Sequence, residues 1–205
     1  MKTKNKALLL SFCAVLLVAA SVLGTMAYLT SQDAVINTFS VGSVAITMDE
    51  LDVDNSTEGE NDRDKANNYK LLPGHQYTKD PIVHVSSTSE ECYLFVNVVN
   101  EITAIEDVTT VADQMKAKGW IAVDGAENIY VYVGTAEDAF VPLAVKANSN
   151  ITVFESFKIK GSVTNEELAG YAGKTITVTA YAVQKDGFES NTASEIWNAA
   201  FGSQG

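Results

Sequence analysis

Positive charge is scarce in this chain: 14 Lys and Arg face 26 Asp and Glu, for a net charge of −12 over 205 residues. A surface so dominated by carboxylates repels polyanions, which excludes DNA and RNA as ligands. It also lacks the basic cluster of a protein held on membranes by charge. Only two cysteines occur, Cys13 inside an apolar run and Cys92 far downstream. Once the first is removed with its segment, no intrachain disulfide can form, and stability must come from a packed core. Three prolines leave no Pro-rich linker, and no second long hydrophobic run follows the first. Histidine is limited to His75 and His84, nine positions apart, so the His-Glu-x-x-His helix of zinc proteases is excluded. There is no Gly-x-Ser-x-Gly elbow and no Gly-rich phosphate loop. No catalytic, cofactor-binding or metal-ligating residue is assigned from the sequence; a site of His75 and His84 completed by Asp or Glu stays geometrically open, with a loop histidine and a strand histidine as the alternative.

The N-terminus carries the strongest local signal. Lys2, Lys4 and Lys6 precede an apolar stretch from Ala7 to Leu23, followed by Gly24-Thr25-Met26-Ala27. Small residues at 25 and 27 occupy the −3 and −1 positions for cleavage between Ala27 and Tyr28, the anatomy of a secretory signal peptide. Residues 1–27 are thus expected to leave, and the alternative is an uncleaved membrane anchor. Removing those three lysines leaves 11 basic against 26 acidic residues, a net charge of −15.

Residues 28–205 read as one β-rich domain. With 46% hydrophobic residues the whole chain has enough apolar surface for a core. Extended segments are expected at Val35–Met48, Pro81–Ser86, Cys92–Glu101, Trp120–Asp124, Ile129–Gly134, Phe140–Lys146, Ile151–Lys160 and Thr175–Gln184. Each is rich in Val, Ile, Thr, Tyr or Phe and bounded by turn formers. In the last, Ile176, Val178, Ala180 and Ala182 share one face. Leu72-Pro73-Gly74 marks a turn. Three short helical insertions are expected: one from Ile105 to Met115 before a stop at Gly119, one opened by the capping box Thr164-Asn165-Glu166-Glu167, and one at Ser194–Phe201. The predicted fold class is all-β, a two-sheet β-sandwich of jelly-roll type. Cys92 is expected to be a buried, inert thiol.

Residues 49–70 read as a solvated acidic loop or a long hairpin tip. Asp52, Asp54 and Ser56 alternate as EF-hand ligands do, yet Thr57 stands where that loop needs Gly and Arg63 where it needs Glu. Starting at Asp54 puts Lys65 at the last ligand position, which fails as well. Only weak calcium binding of another kind is left open there. Tyr130 and Tyr132, on one face of a strand, are candidates for stacking on sugars, with packing in the core as the alternative.

Gly24-Thr25-Met26-Ala27-Tyr28-Leu29-Thr30, followed by Asn37-Thr38-Phe39-Ser40-Val41-Gly42-Ser43-Val44, resembles the start of the TasA/camelysin family. These are exported proteins of Gram-positive bacteria processed by a SipW-type signal peptidase. Leu29 stands where the family commonly has Phe. Leu72-Pro73-Gly74 with Lys79-Asp80, and Ala180 to Phe188 followed by Trp197, resemble the family's turn and closing strand. The resemblance implies a secreted, extracellular or cell-surface protein of the biofilm matrix on a jelly-roll fold. Its partners would be its own copies, in a homo-oligomer or fibre, and related matrix subunits, with membrane contact only before cleavage. It further implies that residues 28–42, once freed, can be donated as a strand to the next subunit. Camelysin-type members have been classed as metallo-endopeptidases, which makes a cell-surface peptidase the alternative; a monomeric binding module is another.

Overall fold

A computed structural model describes residues 3–28, 42–55, 62–135 and 141–202. The chain divides into two compact units, Met1–Ser40 and Val41–Gly205. The first contains helix α1, Thr3–Tyr28. Ala and Leu favour the helix, and no proline interrupts it. Among its described side chains, the large apolar Leu8, Leu10, Phe12 and Leu17 are exposed. Ala27 and Tyr28 are its last two residues.

The second unit is all-β with short helices. Its strands are β1 (Ile46–Leu51), β2 (Arg63–Asp64), β3 (Gln76–Thr78), β4 (Ile82–Val85), β5 (Cys92–Asn100), β6 (Trp120–Ala122), β7 (Ile129–Tyr132), β8 (Asn150–Thr152), β9 (Ser156–Lys158) and β10 (Ile176–Gln184). They pair antiparallel in three sheets, ordered β2-β1-β4-β8, β10-β5-β7-β6 and β3-β9. The helices are α2 (Val111–Ala117), α3 (Asn165–Ala169) and α4 (Ala193–Phe201). Each begins with a reciprocal threonine cap: Thr110 with Asp113, Thr164 with Glu167, Thr192 with Glu195.

The sheet containing β5 is apolar on both faces. Leu94, Val96 and Val98 join the larger core with Val83 and Val85 of β4, while Tyr93 and Phe95 point into a second cluster under α4. That explains why β5 reads as an almost unbroken apolar run rather than an alternation. Along β10, Ile176, Val178, Ala180 and Ala182 face the larger core as their spacing predicts, and Tyr181 and Val183 meet α4 through the second cluster.

Several expectations need correction. Residues 42–45 precede β1 without being strand, and 29–41 lie outside the described residues, as does most of the 28–42 segment. Of the two readings of the acidic segment 49–70, the hairpin agrees with the structure and the plain solvated loop does not: β1 runs on to Leu51, and Arg63–Asp64 pairs back on it antiparallel. Residues 56–61 of that segment lie outside the described ones. The helix expected from Ile105 is split into a 3-10 turn at Thr103–Ile105 and α2. Between them Glu106 bridges to Ile159 and Val108 is exposed. Of the Phe140–Lys146 strand, Phe140 lies outside the described residues and the rest is reduced to a single bridge, Val145 with Cys92; Pro142 removes a ladder donor at its centre. Ile151–Lys160 bends at 153–155 to serve two sheets, with β8 on β4 and β9 on β3.

Candidate functional site

The cysteine and histidines lie apart in role. Cys92 is fully buried, and burial pushes its thiol up to about 11. In the chain lacking residues 1–27, a thiol reagent is therefore expected to label Cys92 only on unfolding and fully in denaturant, read by mass shift. Rapid labelling of the folded protein contradicts the buried-thiol account. His75 sits exposed at the Pro73-Gly74 turn, where Gly74 adopts φ +73° and His75 N–H donates to Leu72 O at 3.3 Å. His84 lies on β4. Among the described residues no group of three or more His, Cys, Asp or Glu is placed to hold a metal ion. Tyr130 and Tyr132, considered above for sugar stacking, pack half-buried against the larger core, with Tyr132 5.3 Å from Trp120.

What the structure assembles instead is a charged network beside an open groove. Arg63, carried by the short β2, is its centre. Its Nε donates to Asp49 Oδ1 and its Nη1 to Asp80 Oδ2 at 3.0 Å, while Nη2 reaches the main-chain oxygens of Asp49 and Asp80 at 3.2 and 3.1 Å. A planar fork suits this better than an ammonium does. Burial alone favours the neutral guanidine, but the bonds to Asp49 and Asp80 outweigh it and raise the Arg63 value. Asp80 also accepts the Leu51 N–H at 2.7 Å.

Next along β1, the nearly buried Glu50 accepts from Lys79 Nζ at 2.6 Å and from Asn67 Nδ2 at 3.0 Å. Asn67 also donates to Leu51 O and accepts from Val53 N–H, and Asp54 accepts from both nitrogens of Asn68. The chain 65–72 is thus pinned as a strap by side chains rather than by a ladder. Its far end rests on aromatic rings, Tyr69 lying 5.2 Å from Phe157 and Tyr77 5.0 Å from the same ring. The Tyr69 hydroxyl donates to Thr78 O. Burial, with Glu50, Asp80 and Asp54 nearby, pushes that hydroxyl's pKa upward.

The strap and β1 form one wall of a groove of about 1170 Å3, and the first half of β10 with the α3 turn forms the other. Phe157 and Ile102 are at its apolar base, Lys65 and Lys70 on the strap side, Ile176 and Val178 on the β10 side. Glu101 ties down the start of β10: Lys174, then the Thr175 N–H and hydroxyl, hold its carboxyl down to about 2. Sequence reasoning missed the groove because its walls come from three distant segments. The one available signal was the lone arginine set among aspartates at 62–64. No protein-family model, curated protein or solved structure gives a significant match to this chain.

Proposed function

We propose that the protein is a secreted structural subunit of the extracellular or biofilm matrix, released by cleavage between Ala27 and Tyr28 by a SipW-type peptidase. Its domain is taken as a two-sheet, jelly-roll-like β-sandwich; the shared core between β4 of one sheet and β5 and β10 of the other supports that reading. Subunits add to one another by donation of residues 28–42 to a neighbour's open sheet edge.

The observation carrying the proposal is the outer edge of β10. This nine-residue strand hydrogen-bonds to β5 on one side, and among the described residues no strand pairs with its other side. The sequence ITVTAYAVQ contains no charge and no proline, the devices that usually blunt an edge. Its first half borders the groove, so an incoming strand finds backbone donors and acceptors beside an apolar surface.

Two proteins test this, one starting at Tyr28 and one at Ser43. Sedimentation and negative-stain microscopy are followed over time with and without calcium. Fibres are expected from the longer chain only. Added salt, divalent cation or mild acid is expected to speed assembly, because −15 charges on each mature subunit oppose close approach. If both proteins remain folded monomers under every condition, self-assembly by this segment is wrong. Stoichiometric zinc with chelator-sensitive casein cleavage would point to the peptidase instead.

A further inference from the structure

The exposed face of the β2-β1-β4-β8 sheet carries one polar side chain from each strand in a row: Arg63, Asp49, His84 and Asn150. The register puts His84 opposite Thr47 on β1 and opposite Asn150 on β8. Its Nδ1 lies 2.8 Å from Asn150 Oδ1. Its Nε2 is buried and lies 3.0 Å from Asp49 Oδ1, off the linear hydrogen-bond direction. Both ring nitrogens therefore face oxygens, which suits an imidazolium that can donate from each. A neutral ring that donates to Asn150 turns a bare lone pair toward the Asp49 carboxylate. A neutral ring that donates to Asp49 instead gives up its donation to Asn150, so loss of the proton leaves one of the two contacts without its donor.

Charge counting in the cluster gives the same sign. Asp49 and Asp80 bring two negative charges and Arg63 one positive. A protonated His84 makes the group neutral, and a neutral His84 leaves it at −1 within a strongly acidic protein. We propose that this row is a proton-operated latch: charged His84 ties β1, β4 and β8 together and backs the Asp49–Arg63 pair that holds β2, and its deprotonation loosens β2 and the strap that walls the groove. The groups facing the ring are Asp49 on β1, Arg63 on β2 and Asn150 on β8, with Asp80 beyond Arg63.

Burial and the Arg63 charge disfavour the charged ring, but the Asn150 contact and the Asp49 carboxylate 3.0 Å from Nε2 outweigh them, so the His84 value rises above 6.5. Asp49 moves the opposite way: burial raises it, yet Arg63 and His84 bring it below 3.8. A raised histidine contributes stability that is complete below 6.5 and disappears as pH climbs through its folded-state value; a lowered aspartate contributes stability that disappears in acid. The latch is closed between those limits and opens on the alkaline side. It stands on the sheet alone and needs no assembly for its readout, so its failure leaves the matrix proposal untouched.

The test uses the full-length chain. Histidine C2-hydrogen exchange followed by mass spectrometry reports His84 and His75 separately, and backbone exchange reports β1, β2 and the strap. His84 is expected to titrate above 6.5, and D49N is expected to lower that value. Between pH 6 and 9, amides at 46–51 and 62–72 are expected to lose protection beyond the intrinsic base-catalysed increase. H84Q should abolish that extra loss, and H75Q should retain it. A His84 value at or below 6.5, or an unchanged pH dependence in H84Q, overturns the latch.

Discussion

Replacing Trp120 with alanine is expected to lower the unfolding free energy by about 3–5 kcal/mol, the range for emptying a well-packed aromatic site. The ring is 1% exposed and lies 5.3 Å from Tyr132. Its Nε1–H donates to Thr152 O at 2.9 Å. Since Trp120 is on β6 and Thr152 on β8, this one side chain joins two sheets. Gly119 makes the placement possible: its φ is +87°, and a Cβ there would lie 2.3 Å from Gly134 O. W120F retains most of the buried area but leaves the Thr152 carbonyl without its donor, so its cost is expected nearer 1–2 kcal/mol. Chemical denaturation of W120A and W120F, with W197F as a control on the half-buried second tryptophan, separates the two contributions. A W120A deficit below about 1 kcal/mol would mean the core closes over the loss, and Trp120 is not the tie between sheets.

Elements whose pattern is local were readable in the sequence. Ile176 to Ala182 alternate because one face of β10 meets the larger core, and the Thr164 cap was legible because its partner Glu167 is three residues away. The same logic holds for Thr110, but its Asp113 partner departs from the usual Glu or Gln, and apolar spacing alone starts the helix at Ile105 rather than at Val111. Val108, at helical spacing from Ile105 and Val111, does not extend an apolar face; it is exposed. β3 carries a single large apolar residue, Tyr77, and owes its existence to pairing with β9 some eighty residues on.

The charged network was illegible for a related reason. A run of Asp, Asn and Lys has the composition of a solvated loop, and composition does not show which groups will be pinned. Asn67 could be recognised only after β1 had placed Glu50, Leu51 and Val53 beside it. His84 on β4 has an outward position readable from the flanking Val83 and Val85, which face the core. Its neighbours Asp49 and Asn150 needed the cross-strand register. The strap and the latch are thus products of pairing between distant segments, and so is the groove they border.

The interaction most exposed to a single substitution is the Lys79–Glu50 pair. Glu50 is 4% exposed, and Lys79 Nζ meets its Oε2 at 2.6 Å. Taking two charges from water carries a desolvation cost that their attraction roughly offsets, so the intact pair adds little net stability. Removing one partner is different. K79M leaves a buried carboxylate with Asn67 Nδ2 as its remaining side-chain donor, and an uncompensated buried charge typically costs about 3–5 kcal/mol. Because Asn67 also holds Leu51 and Val53, the strap is expected to loosen with it, giving faster amide exchange over 65–72. The double variant E50Q/K79M removes the stranded charge while keeping an acceptor for Asn67. It is expected to recover most of the deficit, leaving a coupling energy of several kcal/mol in the double-mutant cycle. A K79M protein within about 1 kcal/mol of the parent would show that water reaches Glu50 readily enough to replace the ammonium. A double variant no better than the single one would instead place the cost in lost packing of the lysine stem, and the strap would then be held by shape rather than by charge.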